Sequence, residues 1–228
     1  MEILNVPNHV GIIMDGNGRW ATAKGQKRSY GHKHGSANVD NIVTHAFKRG
    51  VKSLTLYAFS AENWARPKEE VDELMKLLKA YLKKFAKKLY KNDVRLIVIG
   101  GREELSADLN NAISEVEENS KNNKSNILNI AINYGGRQEI VNAVKKLIAS
   151  GEEITADGIS NNLYTALSGE PDLIIRTGGE LRLSNFLLYQ GAYSELYFTD
   201  VLWPDFNESE FDKALVEFGH RKRRFGKV

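Results

Sequence analysis

The sequence contains no cysteine, which excludes a disulfide framework and a thiolate metal site and is compatible with a reducing cytoplasm. No stretch approaches the roughly 18 consecutive apolar residues of a membrane span. The opening Met1-Glu2-Ile3-Leu4-Asn5 also lacks the basic-then-apolar order of a secretory signal. The expectation is a soluble, cytoplasmic protein that meets a bilayer only through a ligand. No repeat, linker or low-complexity segment divides the 228 residues, and the length suits one α/β domain, residues 1–228, with a sizeable core. An excess of one charge sign is missing too. The 32 basic residues against 29 acidic ones leave a formal charge of +3, too little to argue for nucleic acid, and no aromatic-basic recognition motif compensates.

What is present is an alternation of short apolar runs with longer amphipathic ones, the pattern of a mostly parallel sheet covered by helices. Strands are expected near Val10–Met14, Ser53–Phe59, Val94–Ile99, Ile127–Ile132, Asp172–Ile175 and Leu196–Phe198. Helical periodicity runs through Ser36–Arg49, Val71–Lys91, Asp108–Asn119, Glu139–Ser150, Ala156–Leu167 and Glu208–Phe218. In Val71–Lys91, the residues Val71, Leu74, Met75, Leu78, Tyr81, Leu82, Phe85 and Leu89 recur at steps of three and four and form one apolar face.

The unusual residues fall just past the carboxyl ends of these strands. Met14 is followed by Asp15-Gly16-Asn17-Gly18-Arg19, Phe59 by Ser60 to Pro67, Ile132 by Asn133 to Arg137, and Ile175 by Arg176 to Phe186. In open parallel sheets that edge is where ligands bind. Glycines at 16 and 18 would let backbone N–H groups approach an anion, Arg19 adds a cationic fork, and Asp15 is a carboxylate suited to Mg²⁺. The same hexapeptide also reads as an ordinary turn. Arg19, Arg28, Arg66, Arg137, Arg176 and Arg182 suit a phosphorylated substrate, although for Arg137 a helix cap or a bond to a carbonyl is the favoured reading. Trp64 and Trp203 fit packing or ligand stacking. Asp15 and Glu195 are the carboxylates expected to face the site, with Glu62 and Glu180 behind them, and a structural salt bridge is an equal reading of Glu195.

Asp15 to Trp20, Gly31-His32, Leu56 to Pro67, Asn133 to Arg137, Arg176 to Glu180, Leu183 to Phe186, Ala192 to Phe198 and Trp203 to Phe206 stand in the order of the motifs of the cis-prenyltransferases. From about Val10 to Gly226 the chain resembles that family, and the bacterial undecaprenyl diphosphate synthases within it most closely. The resemblance implies an enzyme that adds isopentenyl diphosphate units to farnesyl diphosphate with cis geometry. Its product would be a long-chain polyprenyl diphosphate such as undecaprenyl diphosphate, a precursor of the lipid carrier for cell-wall polysaccharide.

The resemblance also assigns roles. Asp15 would be the essential Mg²⁺-linked carboxylate, with Glu195 beside the metal. Gly16, Asn17, Gly18, Arg19, Arg28 and His32 would hold the allylic diphosphate, with Trp20 and Lys24 as further substrate contacts. Arg176, Arg182 and Ser184 would hold isopentenyl diphosphate, and Asn63 would serve the proton-removal step. Ser60, Glu62, Trp64 and Arg66 would belong to a mobile segment that closes the site. A tunnel between sheet and helices would take the hydrocarbon, with the apolar face of Val71–Leu89 as its wall, although that face also reads as core. Arg224-Phe225-Gly226 would reach into the partner's site of a homodimer, where a basic tail otherwise reads as a solvated end. At Leu181 some relatives carry a polar side chain, and no role is carried over there. The absence of any adjacent Asp pair disfavours trans-prenyltransferases and terpene synthases, which use aspartate-rich metal motifs. A different product length, or a noncatalytic partner subunit of the same fold, remains as the alternative.

Overall fold

The computed structural model describes residues 5–221, without the side chains of residues 85–90. Arg224 and Gly226 lie outside the described residues.

Six strands, β1 (His9–Ile13), β2 (Ser53–Ser60), β3 (Val94–Ile99), β4 (Asn126–Tyr134), β5 (Leu173–Arg176) and β6 (Glu195–Phe198), form one sheet in the order β3-β4-β2-β1-β5-β6. Every pairing is parallel. β1 is buried along its whole length, as its unbroken apolar run requires of a strand covered on both faces. The next strand in sequence, β2, lies on one side of β1, and β5, reached much later, on the other. The carboxyl end of β1 is therefore a switch point, where an open sheet leaves a crevice.

Seven helices complete the described fold: α1 (Asn17–Ala23), α2 (Arg28–Lys48), α3 (Lys68–Lys91), α4 (Ala107–Ser120), α5 (Gly136–Ser150), α6 (Ala156–Asn162) and α7 (Glu208–His220). Local chemistry marks their ends. The Ser106, Thr155 and Asn207 side chains accept the N–H groups of Leu109, Gly158 and Glu210 at the starts of α4, α6 and α7. Gly151 closes α5 with φ 72°. The main core, on one sheet face, joins Val10, Ile12, Leu54 and Leu56 to Ile42, Val43, Leu82 and Phe211 of the helices. A smaller cluster around Ile13, Tyr57, Tyr134, Phe186 and Leu187 fills the other side.

The differences from the expected elements have identifiable causes. α2 begins at Arg28 instead of Ser36, because Gly31 and Gly35 act as contact points and not as breaks. A Cβ on Gly31 would stand 1.9 Å from the Asn17 carbonyl oxygen, and one on Gly35 1.9 Å from Asn17 Oδ1, so both glycines let α1 cross α2 closely. Residues 15–19 are less of a turn than the two glycines suggest. Only Gly16 has positive φ, at 105°, while Gly18 is already helical. α6 ends at Asn162, short of Leu167, and Leu167 is exposed.

Candidate active site

At the end of β1, Asp15 is held from three directions. Its Oδ2 accepts Arg176 Nη2 at 3.0 Å, its Oδ1 accepts the Gly16 N–H at 2.6 Å, and Arg19 Nη2 lies 3.3 Å from Oδ1. The strand register explains the meeting, since Arg176 ends β5 opposite Ile13. Thr177 Oγ donates to the Asp15 carbonyl at 2.7 Å and fixes the turn. Burial raises the Asp15 pKa, but the Arg176 hydrogen bond and the charges of Arg19 and Arg176 outweigh it and hold the carboxyl below its ordinary 3.8. Arg176 is itself 4% exposed. Its Nη1 donates to Ser184 Oγ at 2.8 Å and to the Arg182 carbonyl, and its buried Nε has no partner among the described residues.

A second group of cations stands across the crevice, gathered by one carboxylate. Glu70, in the first turn of α3, accepts Arg28 Nε at 3.2 Å and Arg66 Nη1 at 3.1 Å and meets His32 Nε2 at 3.3 Å. Arg28 and His32 are four residues apart on α2 and share a face. The Arg28 guanidinium lies over Gly18, where a Cβ would come within 2.6 Å of its Cζ. Burial lowers the His32 pKa, and Glu70 only partly offsets this, so the ring is neutral at neutral pH. Burial pushes Glu70 up, but Arg28, Arg66 and His32 bring it below its ordinary 4.5.

Between the two groups opens a polar cleft of about 330 Å³ lined by Asp15, Gly16, Asn17, Gly18, Arg28, His32, Ser60, Asn63, Arg66, Arg176, Arg182 and Ser184. An apolar cavity of about 90 Å³ lies beneath, between α2, α3 and the sheet. Met14, Asn17, His32, Tyr57, Ala58 and Leu74 line both spaces. The lower walls are Val39 of α2, Leu78 and Tyr81 of α3, and Leu56 and Ile130 of the sheet. Further along the same elements, Val43, Leu82, Leu54 and Leu128 are buried in the core.

Other expected residues take supporting places. Asn63 caps its own segment, its Oδ1 accepting the Ser60 N–H at 3.1 Å, while the residue still lines the cleft. Glu62 accepts Asn185 Nδ2 at 2.8 Å, and Trp64 Nε1 donates to Asn133 Oδ1 at 2.8 Å, so both latch the Ala61–Ala65 turn from outside the cleft. Trp20 is packed against Tyr30 and His34 with Lys24 Nζ 4.5 Å from its ring, and neither Trp20 nor Lys24 lines the cleft. Trp203 is core, its Nε1 donating to the Gly35 carbonyl at 2.9 Å. Arg137 faces a separate cleft with Glu104 and Lys145.

Glu195 does not join Asp15 within one chain. It begins β6 opposite Leu173, three residues from the rim, roughly 10 Å along the strand, and its Oε2 accepts Arg221 Nη1 at 2.8 Å. The carboxylate nearer Asp15 is Glu180, which pairs with Arg182 at 2.6 Å and lies 3.8 Å from Arg19. Nothing in the α3 periodicity marks Glu70, although Arg66 four residues earlier is a readable ion-pair spacing. Asn133 and Asn185, with φ 49° and 63°, hold the latch from left-handed positions that sequence does not announce.

Among the described residues no group of three His, Cys, Asp or Glu could cage a metal. The donor set at Asp15, a lone ionised carboxylate at the mouth of a cationic cleft, instead fits Mg²⁺, a hard ion that keeps waters and takes one or two carboxylates plus substrate phosphate oxygens.

Comparisons with known proteins show the family. The prenyltransferase family model described as "Putative undecaprenyl diphosphate synthase" matches residues 13–226. An isoprenyl transferase of Fusobacterium nucleatum is 51% identical over 225 residues, 98% of this chain and 97% of that protein. A ditrans,polycis-undecaprenyl-diphosphate synthase ((2E,6E)-farnesyl-diphosphate specific) of Pasteurella multocida is 51% identical over 97% of this chain and 95% of its own. Among solved structures, lavandulyl diphosphate synthase from Lavandula x intermedia, in complex with dimethylallyl diphosphate, matches with TM-score 0.94 and 38% identity over 97% and 99% of the two chains. A "probable undecaprenyl diphosphate synthase" from Campylobacter jejuni matches with TM-score 0.84 and 35% identity over 98% and 100%.

Proposed function

The chain belongs to the prenyltransferase family described as undecaprenyl diphosphate synthase, and from that premise we propose that it elongates farnesyl diphosphate by successive cis additions of isopentenyl diphosphate. The observation that carries the reading is the shared mouth. One set of side chains lines both a cationic cleft and an apolar cavity, as a substrate with a diphosphate head and a hydrocarbon tail demands.

Arg28, His32 and the Gly16–Gly18 backbone would grip the allylic diphosphate, with Arg66 closing over it. Arg176, Arg182 and Ser184 would grip the diphosphate of isopentenyl diphosphate. Ionisation of the allylic carbon–oxygen bond leaves an allyl cation and a departing diphosphate, and guanidinium groups already in place stabilise that charge as it grows. The alkene of isopentenyl diphosphate then forms the new carbon–carbon bond, and the proton lost from its neighbouring carbon would pass to the released diphosphate, with the Asn63 amide in the same cleft orienting the two. Holding both substrates at one rim makes the attack effectively intramolecular. Asp15 would hold Mg²⁺, which when bound neutralises diphosphate charge.

A homodimer, in which the segment around Arg224 and Gly226 completes a neighbouring site, and peripheral membrane contact through the product, belong to the same proposal. No helix of the described residues is long and apolar enough to cross a membrane. A shorter product is a second reading, favoured by the small volume above Tyr81. Incubation with radiolabelled isopentenyl diphosphate, farnesyl diphosphate and Mg²⁺, followed by chromatography, should give polyprenyl diphosphates whose length separates the two readings. Absence of any incorporation would end both.

A further inference from the structure

On the outer side of the apolar cavity, α2 and α3 leave an open groove lined by Lys27, Tyr30, Lys33, Glu73, Lys76 and Leu77. Leu77 lines this groove and also the cavity. Leu77 is therefore a wall that the cavity and the groove share. The three groove lysines are exposed, and Glu73 is the acidic residue that faces them. Lys83 and Lys84, both about two turns beyond Lys76, extend the exposed basic face along α3. From Lys76 to Lys91 the sequence of α3 contains lysines and no acid, which is more positive than the chain's net charge of +3 would place on one helix. Tyr30 is 40% exposed at the centre, its ring stacked 5.9 Å from Trp20.

We propose that this face lies on an anionic phospholipid surface, with the lysines at acidic headgroups and Tyr30 at headgroup level. The α2–α3 seam at Leu77 would then be where the prenyl tail passes from the cavity into the bilayer. The inference rests on reading the cavity as the prenyl-chain site. It favours a lipid surface over a nucleic acid because the groove combines positive charge with an apolar floor and backs onto a hydrocarbon cavity. A lysine near an anionic leaflet is worth about a fivefold gain in partition, so reversing three of them should cost at least about a hundredfold.

The test is co-sedimentation of the full chain with phosphatidylcholine vesicles, with and without phosphatidylglycerol, at low and raised salt, beside a pull-down on an RNA duplex. Wild type is expected on the anionic vesicles only, with release by salt, and Lys27→Glu/Lys33→Glu/Lys76→Glu should lose the binding while turnover in detergent is retained. Wild type that ignores anionic vesicles, binds neutral ones equally, or prefers RNA would overturn the proposal, as would a triple variant that still binds. The salt dependence of wild type decides the matter should the variant fold poorly. Vesicle binding is read without turnover, so failure of the elongation reading appears separately, as a wild-type protein inactive in detergent.

Discussion

Replacing Asp15 by alanine should separate two consequences of one carboxylate. The first is structural. Arg176, with a side chain 5% exposed, would lose the partner 3.0 Å away, while Asp15 itself is 32% exposed. Removing one member of a fully buried pair costs about 3–5 kcal/mol. Here the partial exposure of Asp15 and the bonds Arg176 keeps to Ser184 and the Arg182 carbonyl reduce this to about 2 kcal/mol. For a chain of this size that is a fall of about 4–8 °C in Tm, small enough to leave the variant folded at assay temperature. The second consequence is chemical, since losing the carboxylate proposed to hold Mg²⁺ should lower kcat by about a thousandfold or more, roughly 4 kcal/mol of transition-state stabilisation. The pH dependence provides an internal control. Asp15 has a folded pKa below 3.8, so its contribution to stability is present above that value and lost as pH falls through the folded pKa. Acid unfolding curves of wild type and Asp15→Ala should differ at neutral pH and converge below about pH 3.8. Calorimetry and steady-state kinetics measure both effects, and turnover within tenfold of wild type would refute the assigned role.

Glu70→Gln leaves Arg28 and Arg66 without their shared counter-charge and His32 without its carboxylate partner, and it should raise KM for farnesyl diphosphate by about tenfold, or 1.4 kcal/mol, with a smaller change for isopentenyl diphosphate. Equal changes in steady-state kinetics would contradict its position on the allylic side. Tyr81→Ala opens the cavity floor and should shift chromatographed products to longer chains, whereas an unchanged distribution in an active variant would show that Tyr81 sets no limit. His9 is buried with its Nδ1 2.8 Å from the Gly169 carbonyl and its Nε2 2.7 Å from Thr55 Oγ, and burial lowers its pKa to about 4. The unfolded chain therefore binds a proton below pH 6.5 that the folded chain refuses, and urea unfolding should show stability falling by about 2 kcal/mol between pH 7 and 5, a slope that His9→Gln flattens. Deleting the residues after Arg223 should raise the requirement for isopentenyl diphosphate more than that for farnesyl diphosphate, measured by varying each in turn, and equal effects would remove the shared-site reading of the tail.

The strands were legible because a parallel sheet buries apolar runs on both faces, so Val94–Ile99 stands where the run does and the other five differ at their ends. The rim followed from them, since chemistry-bearing residues just past strand ends fall on one edge in any open parallel sheet. The start of α2 was illegible because the reason for Gly31 and Gly35 is the approach of Asn17, a contact between separate helices. Glu195 illustrates the same limit. Its motif is clear and it stands just before the expected strand Leu196–Phe198, yet only the pairing of β6 with β5 puts it opposite Leu173, away from Asp15. Glu70 is the opposite case, an ordinary helix residue by sequence that Arg28 and His32 reach from α2 and Arg66 from the turn before α3.

The central claim is that two diphosphates sit side by side on this rim with Asp15 between their cation groups. A crystal structure with Mg²⁺, isopentenyl diphosphate and the unreactive analogue farnesyl thiodiphosphate tests it most directly. The allylic head should be found on Arg28, His32 and the Gly16–Gly18 backbone, the second diphosphate on Arg176, Arg182 and Ser184, the metal on Asp15, and the farnesyl tail in the cavity above Tyr81. Diphosphates bound away from Asp15, or a tail lying outside the α2–α3 cavity, would contradict it.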